Sequence, residues 1–301
     1  MEYEVFLKKR SLLGEGIWWD DRRQCLFWID MLQRELHCLK GKTDQLLHIF
    51  PDTVGFCAPC EDGTLLVGSG LSLLRYDPDT DFVIKLTEVD ADIPENRWND
   101  AKCLPDGCLL GGTMNRGLDY TEEDGLQTGR LYLVDQNCVP KLLFSNMTVP
   151  NGIGVSKDGG TVYHADTYTH EIRQYRYAPD AGTLTFERCA VPVPEKDGVP
   201  DGMTIAEDGT LFSALWDGGA VRRYDPVTGR ELDRILLPVK HATCCCFGGP
   251  DLDCLFITTS SIDAPEEEYP LAGSIFMVKP GVRGRAVDRF RVSDQAEAFK
   301  A

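Results

Sequence analysis

The amino-acid sequence predicts an all-β protein built as a six-bladed β-propeller. Six segments share a polar or small start, an apolar strand, a glycine-containing turn and further strands. Their starts lie 41, 43, 52, 50 and 42 residues apart, at Glu15, Phe56, Asn99, Asn151, Asp201 and Thr243. A repeat of roughly 40–50 residues made of short strands and turns is typical of propeller blades. Helical repeats would instead show apolar residues three and four apart, and this spacing is not found in the segments.

The turns and the N-terminus support the same prediction. Asp-Gly pairs at Asp62, Asp106 and Asp208 separate runs rich in Val, Leu, Phe and Tyr, which is a hairpin pattern. Residues 3–7 form a further predicted strand without a hairpin partner. We expect it to pair with the last blade and close the ring, because closure removes two exposed sheet edges. No linker divides the chain, so we expect a single domain over residues 1–301, with residues 115–128 as a candidate lid.

Composition and charge exclude several classes of function. The formal net charge of −17 argues against nucleic-acid binding, because contacts to phosphate need Lys and Arg. No apolar run is long enough for a membrane span, and residues 1–10 lack the pattern of a signal peptide. We therefore expect a cytoplasmic protein that binds neither nucleic acid nor membrane and is a monomer or a weak homo-oligomer.

Twelve cysteines at first suggest a disulfide framework, but they lie mainly within apolar strand patterns, as in the run from Cys244 to Cys246. Free cysteine packs as a small hydrophobic residue, and cytoplasmic thiols stay reduced. The one C-x-x-C pair, Cys57 and Cys60, has no second pair at zinc-finger spacing. We expect the cysteines to be structural.

Polar residues stand at the starts of four repeats: Glu15, Asn99 with Asp100, Asn151 and Asp201. Because the innermost strands of a propeller start at one face of its central channel, these side chains are expected to point at a common axis. Turn formation is the simpler interpretation of any single Asn-Gly or Asp-Gly pair. Their shared position in the repeat favours a site. Two carboxylates and an amide oxygen suit one divalent cation, Ca²⁺, Mg²⁺ or Mn²⁺, with Zn²⁺ as an alternative.

Several motifs together resemble the SMP-30/gluconolactonase family, also called regucalcin-like. In chain order they are Leu13-Gly14-Glu15-Gly16, Asn96-Arg97-Trp98-Asn99-Asp100-Ala101-Lys102, Gly112-Thr113-Met114, Pro150-Asn151-Gly152, Pro200-Asp201-Gly202-Met203, Arg222-Arg223-Tyr224-Asp225-Pro226-Val227-Thr228-Gly229 and Cys245-Cys246-Phe247-Gly248-Gly249. The match runs through nearly the whole chain in the family's order. The resemblance implies a six-bladed propeller that hydrolyses sugar lactones with one divalent cation.

Carried over by position, the resemblance implies that Glu15, Asn151 and Asp201 bind the cation. It implies that Arg97 and Asn99 bind the hydroxyls and ring of a small-molecule sugar lactone. Some members have a further acidic substrate contact after the Gly-Thr-Met motif, and Asp119 is the candidate for it here.

The family resemblance puts Asp201 forward as the general base. A carboxylate bound directly to a cation has a depressed pKa and is a weak base, so Asp100 and a hydroxide on the cation remain alternatives. Two other functions also remain open: hydrolysis of other esters or phosphotriesters, and a Ca²⁺-binding regulatory propeller without turnover. A serine hydrolase is disfavoured, because Ser69 lacks the G-x-S-x-G frame.

Overall fold

The computed structural model describes residues 2–117 and 127–293, which form six four-stranded antiparallel sheets. The strands of the first half are β1 (Glu4–Leu7), β2 (Gly14–Asp20), β3 (Cys25–Asp30), β4 (Glu35–Lys40), β5 (Thr43–Ile49), β6 (Val54–Pro59), β7 (Leu65–Ser69), β8 (Ser72–Asp77), β9 (Phe82–Glu88), β10 (Asn96–Cys103), β11 (Leu109–Asn115) and β12 (Gly129–Val134).

The second half continues the pattern and adds three 3₁₀ turns, at Thr167–Thr169, Pro179–Ala181 and Glu195–Asp197. Its strands are β13 (Pro140–Met147), β14 (Pro150–Val155), β15 (Thr161–Asp166), β16 (Glu171–Ala178), β17 (Thr183–Pro192), β18 (Val199–Ile205), β19 (Leu211–Trp216), β20 (Ala220–Asp225), β21 (Arg230–Leu236), β22 (His241–Gly248), β23 (Cys254–Ser260) and β24 (Ile275–Val278).

Each sheet is one blade, and the six blades form a closed ring. The innermost strands β2, β6, β10, β14, β18 and β22 contact one another in that order, and β22 contacts β2. Burial falls from the channel outward: every residue of β6 is buried, whereas β5 and β9 have no buried residue. The predicted all-β, six-bladed propeller is therefore confirmed, and each predicted repeat start lies on an inner strand.

The hydrophobic core lies between the blades. Six apolar clusters of the described chain each lie mainly between two neighbouring blades. Between the second and third blades, for example, Phe56 packs edge-on against Trp98, with ring centroids 5.6 Å apart. A sheet that is covered on both faces needs apolar residues on both, which explains the continuous apolar runs of the inner strands.

The predicted closing strand is confirmed. β1 pairs antiparallel with β24, with Val5 opposite Phe276, so the last blade takes its outermost strand from the start of the chain.

A second closing element follows β24. Residues 279–293 cross the face of the ring opposite the starts of the inner strands. This segment makes hydrogen bonds to all six blades: the backbone of Arg283 accepts from Glu207, and that of Gly284 donates to Leu252. Arg285 and Arg289 bond to the fourth and first blades, and the backbone around Phe290 and Arg291 bonds to the second and third.

The twelve cysteines are all free thiols, and eight of them are buried. Across the described residues, the longest helical turns have three residues, and no helix is long and apolar enough to cross a membrane.

Candidate functional site

The inner strands carry one extra residue near their starts. The pairing register of β2 shifts between Glu15 and Trp18, and that of β14 shifts between Asn151 and Ile153. Comparable shifts occur in β6, β10, β18 and β22. A bulge breaks the strict alternation of side chains and re-aims them. The repeated bulge therefore lets polar residues at the strand starts turn toward the channel without reversing the apolar pattern further along.

Glu15, Asn151 and Asp201 share one local geometry. In each, a side-chain oxygen accepts a hydrogen bond of 3.0 Å from the backbone N–H of the following glycine. A Cβ atom on Gly152 would lie 2.4 Å from the backbone oxygen of Asp201, and one on Gly202 would lie 2.6 Å from the sulfur of Cys244. Glycine at these positions therefore permits the close approach of neighbouring inner strands.

Five predicted site residues, Glu15, Arg97, Asn99, Asn151 and Asp201, line one pocket at this face. The pocket encloses about 430 Å³ of space, part of which is open to solvent. None of the five residues is more than 7% exposed. Polar side chains buried this deeply need partners.

Two pairs of side chains supply those partners. Arg97 Nη1 donates 2.9 Å hydrogen bonds to Asn99 Oδ1 and to the backbone oxygen of Trp98. Asn99 Nδ2 in turn donates to the backbone oxygen of Pro150 at 3.0 Å, which ties β10 to β14. The amide of Asn151 donates to a carboxylate oxygen of Asp201 across the next pair of inner strands.

Negative charge is in excess at this site. Burial raises the pKa of Glu15 well above its usual range, and the carboxylates of Asp201 and Asp100 raise it further. Burial also raises the pKa of Asp201, against the opposing hydrogen bond from Asn151. Arg97 lowers the pKa of Glu15 only in part. Carboxylates held together in this way favour the binding of a cation, which would restore their charged form.

The donor set fits a hard divalent cation. Within residues 2–117 and 127–293, no three His, Cys, Asp or Glu side chains lie close enough together to form a metal centre by themselves. A site built on Glu15 and Asp201 therefore needs an amide oxygen such as that of Asn151. All three side chains offer oxygen, the donor that Ca²⁺, Mg²⁺ and Mn²⁺ prefer.

Asp100 does not line the same pocket. It lines a separate pocket of the channel together with Gly16, Lys102, Cys244 and Asp288, although its charge still acts on Glu15 and Asp201. Burial raises the pKa of Asp100, against the lowering effect of Lys102. Asp119 lies outside the described residues.

Sequence reasoning missed the residues that the second strands of the blades bring to the pocket. Met31 follows β3 directly, Thr167 follows β15, and Trp216 ends β19; all three line the pocket. In an antiparallel blade the second strand ends at the face where the first strand begins. The sequence could therefore have indicated these residues, because the end of the second strand of each blade lies at the same face of the ring as the start of its first strand.

The comparisons with known proteins agree with these observations. The profile of the family described as "SMP-30/Gluconolactonase/LRE-like region" matches residues 13–261, more than half of the chain. The chain belongs to this family. The resemblance predicted from the motifs is thereby confirmed.

Relatives in this SMP-30/gluconolactonase family have different names. A pentonolactonase of Haloferax volcanii is 30% identical and covers 91% of this chain and 92% of its own. A regucalcin of Xenopus laevis is 28% identical over 96% of this chain and 98% of its own. A crystal structure of a calcium-binding protein, regucalcin, from Agrobacterium tumefaciens superposes with a TM-score of 0.86 at 29% identity. It covers 94% of this chain and 95% of that one.

Proposed function

We propose that the protein hydrolyses a sugar lactone to the aldonic acid with the help of one divalent cation. The observation that carries this proposal is the meeting of Glu15, Asn151 and Asp201 with Arg97 and Asn99 in one small pocket. Membership of a family with a relative named pentonolactonase supports it.

Glu15, Asn151 and Asp201 are the proposed ligands of the cation. A bound divalent cation supplies Lewis-acid polarisation of the lactone carbonyl. The excess of buried carboxylate supports this assignment, because the pKa values of Glu15 and Asp201 are both raised by burial. The choice among Ca²⁺, Mg²⁺, Mn²⁺ and Zn²⁺ stays open; a calcium-binding relative makes Ca²⁺ the first ion to test.

Arg97 and Asn99 are the proposed substrate-binding residues. Their mutual hydrogen bond fixes both side chains before substrate arrives, so little side-chain entropy is lost on binding. From this position they can orient the ring and pair with its hydroxyls.

Asp201 is the proposed general base. Water adds to the carbonyl carbon, and Asp201 takes a proton from it. The bond from that carbon to the ring oxygen then breaks, and the ring oxygen receives the proton. The hydrogen bonds from Asn151 and Gly202 hold one carboxylate oxygen of Asp201 in place, which fixes the orientation of the carboxylate for this transfer.

Asp100 is one of the two alternatives to Asp201 as base. Its position in a separate pocket favours Asp201. We expect Asp100→Asn to keep most of the turnover and Asp201→Asn to lose it, with cation content measured in both variants. Full turnover in an Asp201→Asn protein that still binds the cation would exclude Asp201 as the base.

Acid release from a panel of five- and six-membered aldonolactones tests the function itself. We expect turnover that a chelator abolishes and a divalent cation restores. Tight Ca²⁺ binding without turnover of any lactone would instead support a regulatory propeller, an alternative that the regucalcin relatives favour. Turnover of simple esters or phosphotriesters alone would support the other hydrolase alternative.

The cytoplasmic location, the monomeric or weakly associated state and the single domain over residues 1–301 remain predictions from the sequence.

A further inference from the structure

The pocket has an apolar wall beside its polar residues. We define the wall as Leu13, Met31, Met114, Val149, Val199 and Trp216, all of which line the pocket. These six apolar side chains outnumber the four polar lining residues that are not proposed cation ligands, namely Arg97, Asn99, Thr167 and Tyr168. The wall is thus a major surface against which a substrate would pack.

Part of the wall repeats with the inner strands. Leu13, Val149 and Val199 each lie two residues before a proposed cation ligand, namely Glu15, Asn151 and Asp201. Two residues along a strand correspond to roughly 6.5–7 Å, so these apolar side chains form a layer one step nearer the pocket mouth. In the third blade the same position, two residues before Asn99, is Arg97. The layer is therefore polar on the third blade and apolar on the first, fourth and fifth.

Trp216 is the largest member of the wall, and His241 holds it in place. The two rings are stacked with centroids 3.8 Å apart and planes 22° apart. His241 Nδ1 accepts a hydrogen bond from the backbone N–H of Asp217, the residue after Trp216. Burial lowers the pKa of His241 to about 4, so the ring is neutral at neutral pH and adds no charge to the wall.

A hydroxyl group pressed against such a wall loses its water and gains no partner, which is costly. A hydrogen atom or an alkyl group at the same position loses nothing and buries apolar surface. A substrate with a hydroxyl at every ring carbon matches Arg97 and Asn99 but not the apolar wall. A substrate with one polar and one apolar side matches both.

We propose that the pocket selects a partly deoxygenated lactone. Its hydroxyls face Arg97 and Asn99, and its carbons next to the wall carry hydrogen or alkyl groups. Trp216 is the main specificity-determining residue of the wall. This inference rests on the proposed lactonase function for the choice of ligand, but its physical basis is the shape and polarity of the pocket.

Binding of lactams tests the inference without turnover, since the ring nitrogen of a lactam resists hydrolysis. The probes are a six-membered lactam hydroxylated at every available ring carbon and its singly deoxygenated counterparts, titrated calorimetrically into cation-loaded protein. We expect at least one deoxygenated lactam to bind roughly 10- to 100-fold more tightly, the discrimination that one group in an apolar pocket gives. If none binds more tightly than the fully hydroxylated lactam, the inference is wrong.

Two variants test whether the preference for a deoxygenated lactam comes from the wall. Trp216→Ala should reduce the preference at least about fivefold. The matched control is Trp19→Ala, because Trp19 also stacks on a ring, that of Phe256, but does not line the pocket; it should keep the wild-type preference. An equal loss in both variants would contradict the assignment to Trp216.

A third variant tests the inference even if Trp216→Ala does not fold. Val199→Thr replaces a methyl group with a hydroxyl in nearly the same volume and should shift the preference toward the hydroxylated lactam. An unchanged preference in this folded variant would also contradict the inference. Failure of the proposed function can be distinguished from failure of this inference. A protein that prefers the deoxygenated lactam but hydrolyses no lactone would support the selectivity of the wall and contradict the lactonase function.

Discussion

Asp201-Gly202 and Asp208-Gly209 are the same dipeptide at opposite ends of one strand, yet they do different things. Asp208 lies in the turn after β18, where its carboxylate accepts hydrogen bonds from Thr210 and pairs with Arg223. Asp201 lies inside β18 and faces the pocket, 4% exposed. The residue type is identical, so the position in the ring decides the role.

The two carboxylates also have opposite electrostatics. Burial raises the pKa of Asp201 well above its usual range. For Asp208, burial acts in the same direction, but hydrogen bonds from Thr210 and the charge of Arg223 outweigh it and lower the pKa. One carboxylate is therefore satisfied by its own surroundings, whereas the other needs a partner from outside the protein. This contrast distinguishes a structural turn from a binding site.

The rate of lactone hydrolysis should show the largest difference between variants at the two positions. We expect Asp201→Asn to reduce kcat/KM for the best lactone by about 10²–10⁴-fold, the usual contribution of a general base. Asp208→Asn should stay within about twofold of the wild type, because Asp208 lies at the other end of the strand. Equal losses in both variants, measured at saturating cation, would remove the functional distinction between the two sites.

Cation binding should show the next largest difference. A cation at about 100 times its Kd stabilises the folded protein by about 2.7 kcal/mol if it binds only that state. We expect this stabilisation, measured as a rise in the unfolding temperature of chelator-treated protein, in the wild type and in Asp208→Asn. Asp201→Asn should reduce it strongly. A full rise in Asp201→Asn would show that the cation binds elsewhere.

Without the cation, the free energy of unfolding should rise in Asp201→Asn and fall in Asp208→Asn. Removing a buried carboxylate that has hydrogen bonds but no cationic partner should make Asp201→Asn more stable than the wild type by roughly 0.5–2 kcal/mol at pH 7. Asp208→Asn should be less stable by no more than about 1 kcal/mol, because its ion pair with Arg223 is partly exposed and screened by solvent. Chemical unfolding in the presence of a chelator measures both changes.

The pH dependence of these changes follows from the pKa shifts. The pKa of Asp201 is raised in the folded state. Its contribution to the free energy of unfolding is therefore fully present below the usual pKa of aspartate and is lost as pH rises through the raised pKa. The pKa of Asp208 is lowered in the folded state. Its contribution to the free energy of unfolding is therefore fully present above the usual pKa of aspartate and is lost as pH falls through the lowered pKa. The Asp201→Asn difference should therefore vanish as pH falls below the usual pKa of an aspartate, and the Asp208→Asn difference should vanish as pH falls through the lowered pKa of Asp208. The same sign for both would contradict the pKa directions.

The repeat made much of the fold predictable. Short strands separated by Asp-Gly turns define six blades, and an unpaired strand at residues 3–7 has only the last blade to join. The positions of Glu15, Asn151 and Asp201 followed from the repeat register, because equivalent residues of a ring face the same axis.

The remaining features depend on contacts between distant parts of the chain. Asp100 directly follows Asn99 yet lines a different pocket, because a bulge lies between Trp98 and Ala101 and its position was not visible in the sequence. Trp216 belongs to the site only because an antiparallel strand returns it to the same face. Residues 279–293 carry no repeat, so their course across the six blades could not be inferred from periodicity.

The two closing elements have a consequence for how the chain folds during synthesis. Val5 pairs with Phe276, and at about 5–20 residues per second the intervening chain takes roughly 15–55 s to make. Throughout that time β1 has no partner strand, and the first and latest blades expose apolar faces that the closed ring buries between them. Residues 279–293 then reach every blade only after closure has become possible. A nascent chain is thus an open arc until its last segment emerges, and slow synthesis or early termination should favour aggregation through β1 and these apolar faces.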